Sequence, residues 1–452
     1  MESISGGVIS RGLVVDSGER LDVRSGGTVI ETTVSGEGSL LYIFDGAVAS
    51  DTTAKDAGTL GVVSGGVASK ATINGGTLYV WNGGVANNIT ASDYAYMNIL
   101  AGGVVNDITM NTSNANVWLE NYGTVNNATL NNNCSATVYG NATINTATVN
   151  TGGHMRVESA GTVNHVEVNS GGSMSVSGGA VANDITANSQ CRIYVSEGGI
   201  MKDTIVNSGG VVSVYKGGIV KGNLEIASGG KMTVEAGGII DFTVAEQKSA
   251  DTALINDISR ISGNSAVYTL TVSANQASGD YVLAGNAAAF DKTITVKTDE
   301  EELGELTVGG NFTVGGVVYS LNLVDSNLTL TLDGPPELDV TVSQKESLDY
   351  EFVVKISEPA SLQYKINDGE WQDADGTTIA IAQNGTYSFR AEDLTGNMSE
   401  VVTKEISDLV FVNPEKVETV AGKTSWTPVK DAEGKIYCRL QFNTPWIISK
   451  RR

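Results

Sequence analysis

The feature that most constrains this chain is a pair of glycines that returns at an almost constant step. The second glycine of the pair falls at Gly7, Gly27, Gly66, Gly84, Gly103, Gly179, Gly199, Gly218 and Gly238. Single glycines at Gly46, Gly123 and Gly161, and an asparagine at Asn141, fill gaps in the series. A second glycine-rich turn lies midway, at Gly75-Gly76, Gly152-Gly153, Gly171-Gly172, Gly209-Gly210 and Gly229-Gly230. The step, about 20 residues, is that of a short-repeat solenoid. Between turns apolar residues alternate with polar ones, as in Val166-x-Val168 and Leu224-x-Ile226. Period two belongs to strands, not helices. Short strands in so small a unit cannot bury their apolar face alone, whereas stacked coils can. The expected fold is all-β. Residues 1–244 form a parallel β-helix, or solenoid, of about 12 coils, roughly 55–60 Å long at about 4.8 Å per coil.

Columns of like residues support the same register. Val29, Val48, Val105, Val125, Val163, Val220 and Ile240 follow the first turn; Val80, Leu119, Val157, Val195, Val214 and Val234 precede it. Asn111, Asn131, Asn150, Asn169, Asn188 and Asn207 recur at the same step, one to a repeat. Identical amides stacked one coil apart can bond along the axis, so a structural Asn ladder is expected. A shorter column, Asn87, Asn106, Asn126 and Asn164, reads the same way.

Composition narrows the function. Charged residues are 17% and net charge is −23. An acidic surface repels phosphate backbones and anionic membrane, which argues against nucleic acid and direct lipid binding. No apolar run is long enough to span a bilayer, so no transmembrane helix is expected. The opening MESISGGVIS lacks the basic and apolar regions of a signal peptide. Cys134 and Cys191 stand three repeats apart. At about 14 Å they are too distant for a disulfide and are expected to be free.

After Ile240 the glycine series stops. Runs such as Tyr268–Val272, Thr293–Val296, Val317–Leu323 and Leu328–Leu332 predict hairpins, so 245–334 is expected to be a β module that caps the solenoid. Pro335-Pro336 marks a linker, and the strand runs and turns of 335–408 predict an Ig-like β-sandwich without a cysteine pair. Residues 409–452 are too few for another sandwich and are expected to be an incomplete module or a strand pair with a tail.

Blocks such as Val206-Asn-Ser-Gly-Gly-Val-Val-Ser-Val214, Val168-Asn-Ser-Gly-Gly-Ser-Met-Ser-Val176 and Gly198–Gly210 resemble the AIDA-type repeat of bacterial autotransporter adhesin passengers. The resemblance covers about residues 1–240. Leu362–Trp371 and Asn384–Asn397 are similar to bacterial Ig-like domains of large surface adhesins, and Trp426-Thr-Pro-Val429 to the start of a fibronectin type III module. The resemblance implies a non-enzymatic adhesin or stalk, at the bacterial cell surface or secreted in association with the outer membrane. Implied partners are a host or neighbouring-cell surface (protein or glycan), self-association, and a glycosyltransferase acting on repeat hydroxyls. The matching positions for O-glycosylation are Ser25, Ser170 and Ser208. Such passengers carry a leader and a C-terminal barrel. Neither pattern is seen in these residues, so a fragment, a truncated product or another route of delivery is expected.

Two other readings compete: a polysaccharide-active β-helix enzyme and a purely structural spacer. Sugar cleavage uses paired carboxylates. Over residues 1–240 the 19 acids and 11 bases show no column order, so no catalytic residue is expected. Asp93, Asp107, Asp184 and Asp203 read as solvated turn carboxylates. His154 and His165, on different segments of one coil, lack the further ligands a metal site needs. Asp373-Ala-Asp375 is an acidic turn, and no calcium-binding nonapeptide occurs. No metal or cofactor is expected. Tyr79, Trp81, Trp118, Tyr139, Tyr194 and Tyr215 fall near the first turn, as coil-edge packing or as a strip that grips sugars or a partner.

Overall fold

The computed structural model describes residues 2–407, except 17, 113–115, 248–251, 264, 274–275, 345–349 and 395, together with the backbone of 425–430 and 436–441. It is all-β, and no helix among these residues is long and apolar enough to cross a membrane. Two compact units divide the chain: residues 1–312 with 319–332, and residues 313–318 with 333–452.

The first unit is a parallel β-solenoid. One 14-stranded sheet takes a strand from each coil, from Glu2–Ile4 through Arg20–Val23, Leu40–Ile43, Thr59–Val62 and Thr77–Val80 to Ile261–Ser262. Neighbours pair in parallel at a fixed register: Leu78 lies between Leu60 and Met97, and Val80 between Val62 and Ile99. The remaining strands of each coil build a second large sheet. The two sheets bury facing columns, so that Val23, Ile43, Val62, Val80, Ile99, Val138, Val157, Val176, Val195 and Val214 are all excluded from solvent. Each such side chain contributes on the order of 1.5–3 kcal/mol against the entropy of ordering it.

The paired glycines do two different jobs, as Gly171-Gly172 shows. Gly171 has φ +74°, a left-handed conformation that costs an L-residue about 1–2 kcal/mol. Gly172 has no such φ, but a Cβ there would lie 2.4 Å from the Val149 carbonyl oxygen of the preceding coil. The first glycine turns the corner; the second lets successive coils stack at strand spacing.

Two sequence columns shift. Val48 is exposed, because Ala49, not Val48, is opposite Val29. Leu119 is buried in the row of Met97; the place below Ile99 is taken by Asn121, which is fully buried. There the corner is only Tyr122-Gly123 long. Asn121 accepts the Gly123 N–H at 3.0 Å and donates to the Thr143 carbonyl at 3.1 Å, doing for the short corner what a glycine pair does elsewhere.

The segment expected to hold only hairpins first prolongs the parallel stack. Ile261–Ser262 pairs with Lys231–Val234, Val267–Thr271 with Ile239–Thr243, and Ile294–Lys297 with Val267–Thr271. Val267–Thr271 carries the same alternation as the coils, and only the glycine corners are missing. Antiparallel pairing follows: Glu302–Leu306 covers the edge of Ile294–Lys297, and Gly279–Ala284 pairs with Asn327–Asp333. Covering that edge removes a row of unpaired backbone groups.

The second unit has two antiparallel sheets. One orders Leu338–Gln344, Tyr350–Ile356 and Thr378–Ala380; the other orders Gln372–Asp373, Ala360–Ile366, Gly385–Asp393 and Val402–Ile406. Val340, Phe352, Val354, Leu362, Ile379, Ile381, Tyr387 and Phe389 form their shared core. Of 409–452, the described backbone is one antiparallel pair, Ser425–Lys430 with Ile436–Gln441. The tail Ile448–Arg452 lies outside the described residues.

Candidate functional site

The outer surface of the solenoid carries ordered columns of amides and hydroxyls and a cluster of aromatic rings. In the amide column, Asn150 donates to Asn131 at 2.8 Å, Asn169 to Asn150 at 2.8 Å, Asn188 to Asn169 at 2.7 Å and Asn207 to Asn188 at 2.7 Å. Asn131 turns its own amide to the Met110 carbonyl at 3.2 Å, so the chain of bonds starts at Asn131, with Asn111 exposed one coil earlier. A second chain joins Asn87, Asn106, Asn126, Asn145, Asn164 and Asn183. Sequence reading found four of these. Asn145 stands one repeat after Asn126 and Asn183 one repeat after Asn164, a step that would have revealed both.

The hydroxyl column lies at the midway turn. Thr151, Ser170, Ser189, Ser208 and Ser228 occupy the same place in five successive coils. Ser170 and Ser208 are exposed there, and Ser25 is exposed at the other corner. Ser170 donates to Gln190 at 3.1 Å.

The rings cluster on the outer face of the 14-stranded sheet. Phe44 and Tyr42 lie 6.2 Å apart, Tyr42 and Trp81 5.8 Å, Trp81 and Tyr79 5.4 Å, and Tyr79 and Tyr96 6.3 Å. Farther on, Tyr122 stacks on Tyr139 at 5.0 Å and Tyr194 on Tyr215 at 6.3 Å. Trp118 is 39% exposed. Sequence reading missed Tyr42, Phe44, Tyr96 and Tyr122, because they repeat in no column and only the register brings them beside the others. The Tyr96 hydroxyl is pushed up to about 12, first by burial and then by the bond it donates to Glu120 at 2.5 Å.

At one end of this face Asp22, with its side chain 1% exposed, accepts from Arg20 at 2.8 Å and Arg24 at 2.7 Å. Burial alone would raise its pKa; the two guanidinium hydrogen bonds outweigh it and hold the carboxyl below the usual range. Arg20 lies 4.7 Å over the Tyr42 ring and Arg24 4.8 Å over Phe44. An open groove of about 340 Å³ is lined by Arg20, Tyr42, Phe44, Val63, Ser64, Trp81 and Asn82.

A smaller cleft of about 130 Å³ contains Lys221, Asp241, Lys297 and Asp299. The Asp241 carboxylate is taken up by the hydroxyls of Thr243, Thr269 and Thr271, so it is held as a hydrogen-bond acceptor within the sheet. His154 bonds Ser173 and Arg156, and His165 lies 3.3 Å from Asp184. Cys134 and Cys191 are free and buried; burial raises both thiols, Cys134 to about 11. In the second unit the carboxylate oxygens of Asp333, Glu358 and Asp393 lie within 4.8 Å of one another. Burial, then the charges of Asp333 and Asp393, raises the Glu358 carboxyl. These residues come from three separate stretches of sequence, which hid the cluster from sequence reading.

No family model matches the chain, and no curated protein does. Among solved structures it is similar to the TibC-catalyzed hyper-glycosylated TibA55-350 fragment, at 27% identity and a TM-score of 0.50, over 63% of this chain and 94% of that fragment. The likeness extends over the solenoid region, where the AIDA-type resemblance of the repeats lies. The solenoid supplies the surface on which the amides, hydroxyls and rings stand.

Proposed function

We propose that this chain is the passenger of a bacterial surface adhesin, whose AIDA-type solenoid displays a repetitive face for adhesion or aggregation. The observation that carries the reading is the solenoid itself, similar to the TibA fragment and bearing columns of amides and hydroxyls and a cluster of rings on its outer surface. Repetition favours weak contacts summed over many coils. The small cleft at Asp241 is the place where an enzymatic reading would have to start. Its carboxylate is already engaged by threonines, and retaining or inverting sugar hydrolysis needs two free carboxylates about 5–10 Å apart.

Exposed Ser25, Ser170 and Ser208 suit O-glycosylation, and the TibA fragment was itself glycosylated by TibC. The partner class is then a host or neighbouring cell surface, with a glycosyltransferase acting beforehand. The second unit reads as an Ig-like sandwich. Tyr387, at the start of its strand, donates to the Gln383 carbonyl at 3.0 Å, the arrangement of a tyrosine corner.

The test is adhesion of the purified chain to cultured cells and to bacteria. Saturable binding or clumping is expected. Absence of both would leave the spacer reading, and release of reducing ends from a polysaccharide panel would replace the proposal with the enzymatic one.

A further inference from the structure

The ring cluster has a feature that packing alone does not require. Tyr42 and Trp81 sit two coils apart, about 10 Å by strand spacing, yet their centroids are 5.8 Å apart. They lean together over Gly61, which lies in register between Tyr42 and Tyr79 in mid-strand. Gly61 does not have a left-handed φ, so no turn demands glycine there. A Cβ at Gly61 would lie 2.4 Å from the Tyr42 ring and 2.7 Å from the Trp81 ring. A glycine inside a strand weakens it, and such positions often mark a close approach by a ligand or another chain. Here its absence of side chain tilts two half-buried rings into one wall of the groove.

The groove is apolar along its length and polar at its rim, where Ser64 and Asn82 stand at the turn. Among the described residues, Arg20 is its one charged lining residue. Arg20 and Arg24 share a single buried carboxylate, Asp22, which leaves one positive charge uncompensated between them. Asp45 stands on the neighbouring turn, packed toward Gly65. A guanidinium beside two exposed ring faces, in a chain of net charge −23, favours an anion with an apolar face. A pyranose carrying a carboxylate has both: axial C–H groups that lie on a ring, and an anion that a guanidinium fork can meet.

We propose that this groove is a binding subsite for an acidic cell-surface glycan, with the sugar face on Tyr42 and Trp81 and its carboxylate toward Arg20. The proposal rests on the adhesive reading and gives it a ligand class. Ser64 and Asn82 are placed to bond sugar hydroxyls.

The test titrates the full chain with sialyllactose and with lactose, which differ only by the acidic sugar, while following tryptophan fluorescence and cell binding. Sialyllactose should bind at least about tenfold tighter than lactose, since an ionised pair is worth roughly twice a neutral hydrogen bond. Raising salt should erase that preference. Trp81→Ala should lose both sugars. Arg20→Lys, which keeps the charge that Asp22 needs, should narrow the preference. Ile205→Ala, exposed on the other large sheet of the solenoid, should change neither, and the melting curve of each variant serves as its folding control. Equal binding of both sugars, or no effect of Trp81→Ala in a folded protein, would overturn the groove. Cell binding by a Trp81→Ala variant that matches wild type, with no sugar titration in either, defeats the groove and leaves the adhesin. Sugar binding with no cell binding defeats the adhesin and leaves the groove.

Discussion

At the residue scale, the Asn column converts a sequence period into bonds. Asn169 donates to Asn150 and accepts from Asn188. Asn169→Ala removes both bonds and leaves two half-buried amide groups short of a partner. Each such group costs about 1–3 kcal/mol, so a loss of roughly 2–6 kcal/mol in denaturant unfolding is expected. Asn169→Ser, which keeps one oxygen, should lose less. The constant spacing made this column legible from sequence alone. Asn121 was not legible, because a polar residue in an apolar row is explained only by the short corner beside it.

Asp22 sets a pH dependence at the same scale. Its carboxyl is lowered in the fold, with burial opposing and the Arg20 and Arg24 bonds prevailing. A depressed folded pKa gives stability that is present above the unfolded value, about 3.9. That stability is lost as pH falls through the folded value. Amide exchange in Arg20–Val23 and Leu40–Ile43 is therefore expected to speed up on acidification below about pH 4. Asp22→Asn should exchange faster already at pH 7 and lose most of that acid response. An unchanged acid response in the variant would assign it to other carboxylates.

At the element scale, the two glycines of a corner predict unequal costs. Gly171→Ala should cost about 1–2 kcal/mol through its positive φ. Gly172→Ala must push the Val149 carbonyl away from a 2.4 Å approach. Displacing packed backbone costs up to about 3 kcal/mol or more, so Gly172→Ala should unfold at lower denaturant than Gly171→Ala. The reverse order would sink the division of labour. Sequence reading assigned both glycines to turn conformation, since positive φ has a composition signal and close approach between coils has none. The same limit explains why 261–297 was read as hairpins. Parallel and antiparallel strands share one alternation, and the chain direction of the partner is not written in either strand.

At the scale of the whole molecule, the two units have separate cores and are expected to melt as separate transitions by calorimetry. The Glu358 carboxyl, raised first by burial and then by Asp333 and Asp393, offers a way to assign them. A raised folded pKa means the folded unit holds more protons than the unfolded chain, so it is stabilised as pH falls from 7 toward 5. Glu358→Gln should raise the midpoint of one transition at pH 7, and the gap from wild type should close on acidification. A shift of both transitions would show that the units unfold together.

The fixed register of the coils has a consequence for how such a chain can change in size. Most coils present their neighbours with like rows of apolar residues, asparagine and glycine, so one such coil's lower face matches another's upper face. A block of one whole repeat, cut between two corners, lets the flanking coils meet without a new interface. An added block does the same in reverse, in increments of about 4.8 Å. A deletion within a strand instead throws its rows out of line, whereas a corner absorbs a residue or two, as Tyr122-Gly123 does. The solenoid is therefore a ruler graduated in whole coils, tolerant of large edits and of small ones only at its corners.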